Sequence, residues 1–123
     1  MLDDFAKAFE MCAFCPKLCR HVCPVAEVEA RESVTPQSKM MMGHLMRSRQ
    51  AACNNDYASV FYHCVGCGHC TEYCEHDVPV SQALFAARAE AARCEAVPDA
   101  LSRFVERFYA RNEELVHRLH RLV

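Results

Sequence analysis

Tryptophan is absent from this chain of 123 residues, and glycine occurs only three times. Almost no segment alternates apolar and polar residues, so the strands and tight turns of a β-sandwich or barrel are missing. An excess of basic charge is missing too. The 14 Lys and Arg stand against 16 Asp and Glu, for a formal net charge of −2. That leaves no electrostatic footprint for nucleic acid. No apolar run reaches the roughly 18 residues that a bilayer-spanning helix needs, so any membrane attachment is expected to be peripheral, through a partner. The opening Met1-Leu2-Asp3-Asp4 is acidic and lacks the charged and apolar regions of a signal peptide. The expected compartment is therefore reducing and cytoplasmic, where dense cysteines read as metal ligands and not as disulfides.

Cysteine is what the chain has in excess, with ten in all. The rest of the composition favours helices, and six helical segments can be read. Phe5 to Met11 places Phe5 and Phe9 four apart on one face. Val25 to Arg31 allows a turn or two. Thr35-Pro36 supplies an N-cap and a first-turn proline for a helix that carries Met40, Met41, Met42, Leu45 and Met46 to about Arg49. Asn54-Asn55-Asp56 is a turn and cap before a short helix from Tyr57 to His63. Pro79 opens an Ala-rich helix from about Val80 to Glu95, and Val97-Pro98-Asp99 breaks it. A last helix runs from about Ala100 to the end. The predicted fold class is all-α, with two cysteine loops held between helices. The loops form a weak internal repeat roughly fifty residues apart.

The second cysteine block is Cys64-x2-Cys67-x2-Cys70-x3-Cys74. Three thiolates in so tight a loop reach three irons of one cubane cluster. The fourth, about one helical turn further on, points away and ligates the neighbouring cluster. Gly66 and Gly68 let the loop curl and bring backbone N–H groups towards cluster sulfur. The first block is Cys12-x2-Cys15-x3-Cys19-x3-Cys23-Pro24, with one extra residue within Pro16-Lys17-Leu18. Pro24 turns the chain away after the last ligand. Exchange of the fourth ligands assigns Cys12, Cys15, Cys19 and Cys74 to cluster one. It assigns Cys64, Cys67, Cys70 and Cys23 to cluster two. Both are [4Fe-4S] clusters in this reading, on the order of 10 Å apart.

Other chemistries fit less well. Two structural zinc sites need only pairs of C-x2-C and leave the spacing of the third and fourth cysteines unexplained. Cys67-Gly68-His69-Cys70 has the form of a disulfide-isomerase site, but no strand precedes it. No C-x3-C-x2-C triplet points to radical chemistry with S-adenosylmethionine, and no C-x-x-C-H points to covalent haem. An enzyme with an open iron needs a cluster with three protein ligands, and eight suitably spaced cysteines argue against it. Cys53 and Cys94, left over, read as small core residues. His21, His63, His69 and His76 read as neighbours of ligands or surface residues. The Met residues of the third helix read as core.

With both blocks in view, the chain resembles the two-cluster α-helical ferredoxin family. That family includes the iron–sulfur electron-transfer component of heterodisulfide reductase and the iron–sulfur regions of anaerobic glycerol-3-phosphate dehydrogenase and glycolate oxidase. The likeness rests on Cys12, Cys15, Cys19, Cys23-Pro24, Cys64, Cys67, Gly68, Cys70 and Cys74, with Thr35-Pro36 and Lys39 between the blocks. It covers roughly residues 10 to 95. It implies an α-helical ferredoxin fold and single-electron transfer to or from a flavin-, quinone- or thiol-linked oxidoreductase. The implied partner is a flavoprotein or a catalytic subunit with paired-cysteine C-C-G domains. This chain has no adjacent Cys-Cys pair, so it is expected to be a non-catalytic electron-transfer subunit. Cys74-Glu75 stands where the family has Cys-Pro, which puts a carboxylate beside cluster one and should lower its potential.

Residues 1–97 are read as the two-cluster domain and residues 98–123 as an amphipathic helix. Leu101, Val105, Phe108, Asn112, Leu115, Leu119 and Leu122 step by four and three in a heptad-like stripe. It either packs on the domain or holds a partner, and the same face also allows self-association. The competing reading of the whole chain is a zinc-stabilised interaction module using this helix.

Overall fold

The computed structural model describes residues 1–121, without the side chains of Leu115, Val116 and Leu119. Among the described residues there are helices and no strand, so the all-α class holds. The helices are α1 (Ala6–Phe14), α2 (Pro24–Glu29), α3 (Pro36–Arg47), α4 (Asn55–Tyr62), α5 (His69–Glu72), α6 (Val80–Arg93) and α7 (Asp99–His120). Short 3-10 turns at Asp3–Phe5, Arg20–Val22 and Glu32–Val34 join or precede them.

The helix starts follow from the sequence. Thr35 Oγ1 accepts from the Ser38 N–H at 3.3 Å, and Pro36 occupies the first helical position. Asn54 Oδ1 accepts from the Tyr57 N–H at 2.9 Å to start α4. Two ends differ from the sequence reading. Helix α1 continues past Met11 to Phe14 and so carries Cys12; it stops where Cys15, preceding Pro16, is pushed into extended backbone. Helix α6 stops at Arg93, and Glu95 turns left-handed at φ 57°.

Helix α1 lies along α3, and α6 packs against both α3 and α4. The contact with α1 is close because Gly43 of α3 has no side chain where the fully buried ring of Phe9 sits. On α6, Ala83, Ala87 and Ala91 recur every four residues and are all fully buried. Their small side chains let α3 and α4 approach the same helix. Phe9, Met40, Phe61, Leu84, Val80 and Val34 fill the centre. Met40 and Met46 are buried and Met42 packs beside them, so three of the four methionines of α3 belong to the core as expected, while Met41 is only half-buried.

Helix α7 stands apart from this core. Leu101 and Ser102 at its base are half-buried, but Phe104, Val105, Phe108 and Tyr109 are exposed. The rings of Phe104 and Phe108 stack on each other at 6.4 Å between centroids. Of the heptad-like stripe, Leu115, Leu119 and Leu122 lie outside the described residues. The part described is not covered by the other helices.

Candidate metal centre

Two cavities at the same end of the helical core collect eight of the cysteines. Cys12, at the end of α1, shares one with Cys15 and Cys19 of the following loop and with Cys74, just after α5. It encloses about 390 Å³ of atom-free space, part of it open to solvent. Cys23, which caps α2, shares the other with Cys64, Cys67 and Cys70, and that one encloses about 360 Å³. Three thiols in each cavity come from one block and the fourth from the other. The side chains around them are largely apolar: Met11, Leu18, Val78 and Val80 in the first, Val22, Val25, Pro36 and Leu84 in the second. Glu75 and His76 also line the first, and Lys39 the second.

Electrostatics reports the same grouping. Burial pushes the Cys12 thiol up to about 12, and the nearby Cys19, Cys74, Cys15 and Cys70 add to it. Burial pushes Cys70 up to about 12 as well, with Cys19, Cys64, Cys67 and Cys23 adding. Cys19 is raised by burial first, and then by Cys15, Cys74 and Cys23 against its own backbone. That Cys19 acts on Cys70 shows that the two sets adjoin. Crowded, desolvated thiols resist ionising together, so a group that binds them as thiolates must bring compensating positive charge. Iron does so. Among the described residues no three His, Cys, Asp or Glu side chains form a group that could hold a single metal ion. Each set of four thiols borders one cavity, which suits ligands spread over the corners of a cube. The donor set and its apolar surroundings therefore fit an iron–sulfur cluster in each cavity.

The loops are held by polar side chains that the helices turn inward. Gln37 Nε2 donates to the Cys12 carbonyl at 3.3 Å. Lys39, only 1% exposed, donates from Nζ to the His63 carbonyl at 2.9 Å. Arg88 donates from one guanidinium nitrogen to the Phe61 carbonyl at 2.9 Å and to the Cys64 carbonyl. Thr71 Oγ1 accepts from the Ser81 N–H at 3.1 Å and so ties α5 to the start of α6. In the second block Gly66 and Gly68 take φ of +71° and +79°. A Cβ on Gly66 would also lie 2.7 Å from the Phe85 ring. The extra residue of the first block is absorbed by Lys17 at φ 67°, in a turn closed by the Arg20 N–H on the Lys17 carbonyl at 3.0 Å. Lys17 and Arg20 both pair with Glu32, and the hydrogen bond from Arg20 is the main reason the Glu32 carboxyl lies below its ordinary range.

Of the histidines near the blocks, His21 and His69 are exposed. His63 bonds to the Glu29 carboxylate, and His76 borders the first cavity. Gln37, Arg88 and the Thr71–Ser81 pair were not singled out from sequence. Their only signal is a polar residue at a position where the helix turns towards the core. Lys39 was noticed through the resemblance alone.

Cys94 corrects an expectation. Cys53 packs half-buried against the core as expected, but Cys94 is exposed. The two border the same cleft, close enough for Cys94 to raise the Cys53 thiol. A distance of 41 positions in the sequence hid the proximity.

Comparison with known families places a 4Fe-4S dicluster domain on residues 8–78, more than half of the chain. No curated protein and no solved structure matches it significantly.

Proposed function

The chain belongs to the 4Fe-4S dicluster domain family, and from that premise we propose that it carries two [4Fe-4S] clusters and relays single electrons between proteins. The observation that supports this reading is the pair of cavities, each bordered by four thiols drawn from both blocks. Cys12, Cys15, Cys19 and Cys74 would hold one cluster. Cys64, Cys67, Cys70 and Cys23 would hold the other. A cubane cluster bound by four thiolates supplies a one-electron couple. The chain's own residues keep the thiols in place and shield the cavities with Val, Leu and Pro side chains. The spacing resembles the α-helical branch of the family, represented by the iron–sulfur electron-transfer component of heterodisulfide reductase. The reading needs no substrate site, and it places the protein in a reducing, cytoplasmic compartment. Among the described residues no helix is long and apolar enough to cross a membrane.

The partner in this reading is a redox protein, a flavoprotein or a catalytic subunit, that docks on α7. An apolar groove of about 590 Å³ opens at the base of α7, between Leu101 and Val105 on one side and Tyr62, Phe85 and Arg88 on the other. Phe85 touches Gly66, and Arg88 holds the Cys64 carbonyl. A protein seated on α7 and in the groove therefore sits against the loop of the second block. That continuity favours an electron-exchanging partner over a second copy of the chain.

The test is elemental. Protein purified anaerobically from iron-replete cells should be brown and hold about eight irons and eight acid-labile sulfides per chain. Zinc in place of iron would refute the reading and leave a zinc-stabilised interaction module.

A further inference from the structure

Helices α3 and α6 border the cysteine cavities with their first turns, at Gln37, Lys39, Val80 and Ser81. Their last turns border something else. Met46 and Arg47 of α3, Glu90 and Arg93 of α6, and the adjoining Arg49 and Cys94 line an open cleft of about 570 Å³. The segment Met1–Asp3 and residues Ala51–Cys53 complete it. Since α6 has 14 residues, the cleft lies on the order of 20 Å from the cavities. Its volume falls within the range of small-molecule sites.

The cleft holds the two cysteines left over from the blocks, side by side on its wall. Its charged groups are Arg47, Arg49, Arg93, Asp3 and Glu90. Arg93 pairs with Glu90 at 3.1 Å and Arg47 with Asp3 at 3.5 Å. Arg49 has no carboxylate partner among the described residues, and the buried Nε of Arg47 has no hydrogen-bond acceptor. The cleft thus presents a thiol pair with a surplus of guanidinium donors.

We propose that Cys53 and Cys94 form a reversible dithiol–disulfide pair that exchanges with a small anionic disulfide of the glutathione type seated in this cleft. A carboxylate of such a molecule suits Arg49, which is exposed and has no carboxylate partner among the described residues. Exposed Cys94 is the attacking thiol. It loses its proton to water, and its sulfur bonds to one sulfur of the incoming disulfide. The S–S bond of that molecule breaks, and the other half leaves as a thiolate that takes up a proton. Cys53 then attacks the Cys94 sulfur, loses its own proton and expels the second half as a thiol. The protein gives up two protons and two electrons, and the small disulfide is reduced to two thiols. Two molecules of the thiol reverse the reaction. Burial, with the neighbouring Cys94 next, pushes the Cys53 thiol up to about 11, so it stays protonated until the mixed disulfide forms beside it. The bridge would staple the turn before α4 to the end of α6.

The test uses the full, metal-loaded chain, equilibrated anaerobically with mixtures of glutathione and glutathione disulfide, then alkylated and mapped by peptide mass spectrometry. Iron is counted in parallel. The expected product is a Cys53–Cys94 bridge whose fraction follows the mixture reversibly while the iron content stays constant. Cys53→Ser should accumulate glutathione on Cys94, whereas Cys94→Ser should leave Cys53 unmodified. Arg49→Glu should slow bridging by glutathione disulfide by roughly tenfold and leave bridging by neutral 2-hydroxyethyl disulfide unchanged. Alkylation of both cysteines across the whole range of mixtures would overturn the proposal. So would a bridge from either one to a cysteine of the blocks. Equal slowing of both disulfides by Arg49→Glu would overturn the anionic preference.

Discussion

Gly43→Ala tests how the spacing of α1 and α3 sustains the first cavity. A Cβ at Gly43 would lie 2.4 Å from Phe9 Cε1 and 2.8 Å from Cδ1. Carbon atoms rest about 3.5–4.0 Å apart, so the ring must retreat by at least about 1 Å. Phe9 is fully buried and has no free space to retreat into. The two helices must therefore part, which costs about 1–3 kcal/mol. Alanine returns about 0.5–1 kcal/mol of helix propensity. The net loss is up to about 2.5 kcal/mol, about 1.3 kcal/mol at mid-range, and the unfolding midpoint of a domain this small should fall by roughly 4–8 °C at that mid-range value. The strain acts next to Cys12, one turn along α1 from Phe9, and along the Gln37 bond to its carbonyl. Iron release to a chelator should accelerate as well. The assay is thermal circular dichroism of the loaded protein under nitrogen, with chelator kinetics beside it. Adding Phe9→Leu should make room again and recover at least half of the lost midpoint, although Phe9→Leu alone destabilises. A Gly43→Ala protein as stable as the parent, or effects that simply add in the double variant, would refute the reasoning.

Two further outcomes follow from the geometry. Cys74→Ser should disturb the cluster proposed at Cys12, Cys15 and Cys19, and Cys23→Ser the one proposed at Cys64, Cys67 and Cys70; paramagnetic resonance of the reduced proteins distinguishes this from damage confined to the altered block. A chain ending at Asp99 should keep its iron, with a midpoint within about 4 °C of the parent, because little of α7 beyond Leu101 and Ser102 is covered. The same truncation should abolish pull-down of the redox partner, and salt should weaken encounter of the full chain with it, as measured by association rate. Loss of iron together with binding would return α7 to the domain core, and self-association of the full chain in place of partner binding would assign the helix to a second copy.

What could be read in the sequence was whatever depends on neighbours in the chain. Thr35-Pro36 and Asn54 act within three residues, so both caps were legible. The heptad-like pattern of α7 was legible as a stripe, but not what it faces, because a pattern is silent about coverage. The end of α1 lies three residues past the expected Met11, because the cysteine spacing makes Cys12, Ala13 and Phe14 read as loop although nothing in them breaks a helix. Pro16, which stops the helix by restricting Cys15, lies further on. The proximity of Cys53 to Cys94 and the carbonyl contacts of Gln37 and Arg88 depend on residues 24 to 41 positions apart. Only the packing of α3, α4 and α6 brings those together.

A count of the backbone hydrogen bonds around the second block joins fold to function. The carbonyls that lead into it are taken: Phe61 and Cys64 by Arg88, His63 by Lys39. The carbonyl of Gly68 receives the N–H groups of Thr71 and Glu72 at 2.8 and 3.1 Å. The N–H groups from Val65 to Cys70, in contrast, have no protein acceptor among the described residues. Three of these residues, Val65, Cys67 and His69, are exposed and can donate to water, but Cys70 is buried and Gly66 and Gly68 are half-buried. Buried donors need an acceptor. Successive amides on a backbone bent by two left-handed glycines form a concavity suited to an anionic group. Thiolate and sulfide sulfur accept such bonds, and each bond makes added negative charge easier to hold. Lys39 and Arg88 thus do more than tether the loop. They occupy its carbonyls from the helix side while its amides stay without a protein acceptor, so the packing of α3 and α6 bears on the site through the backbone.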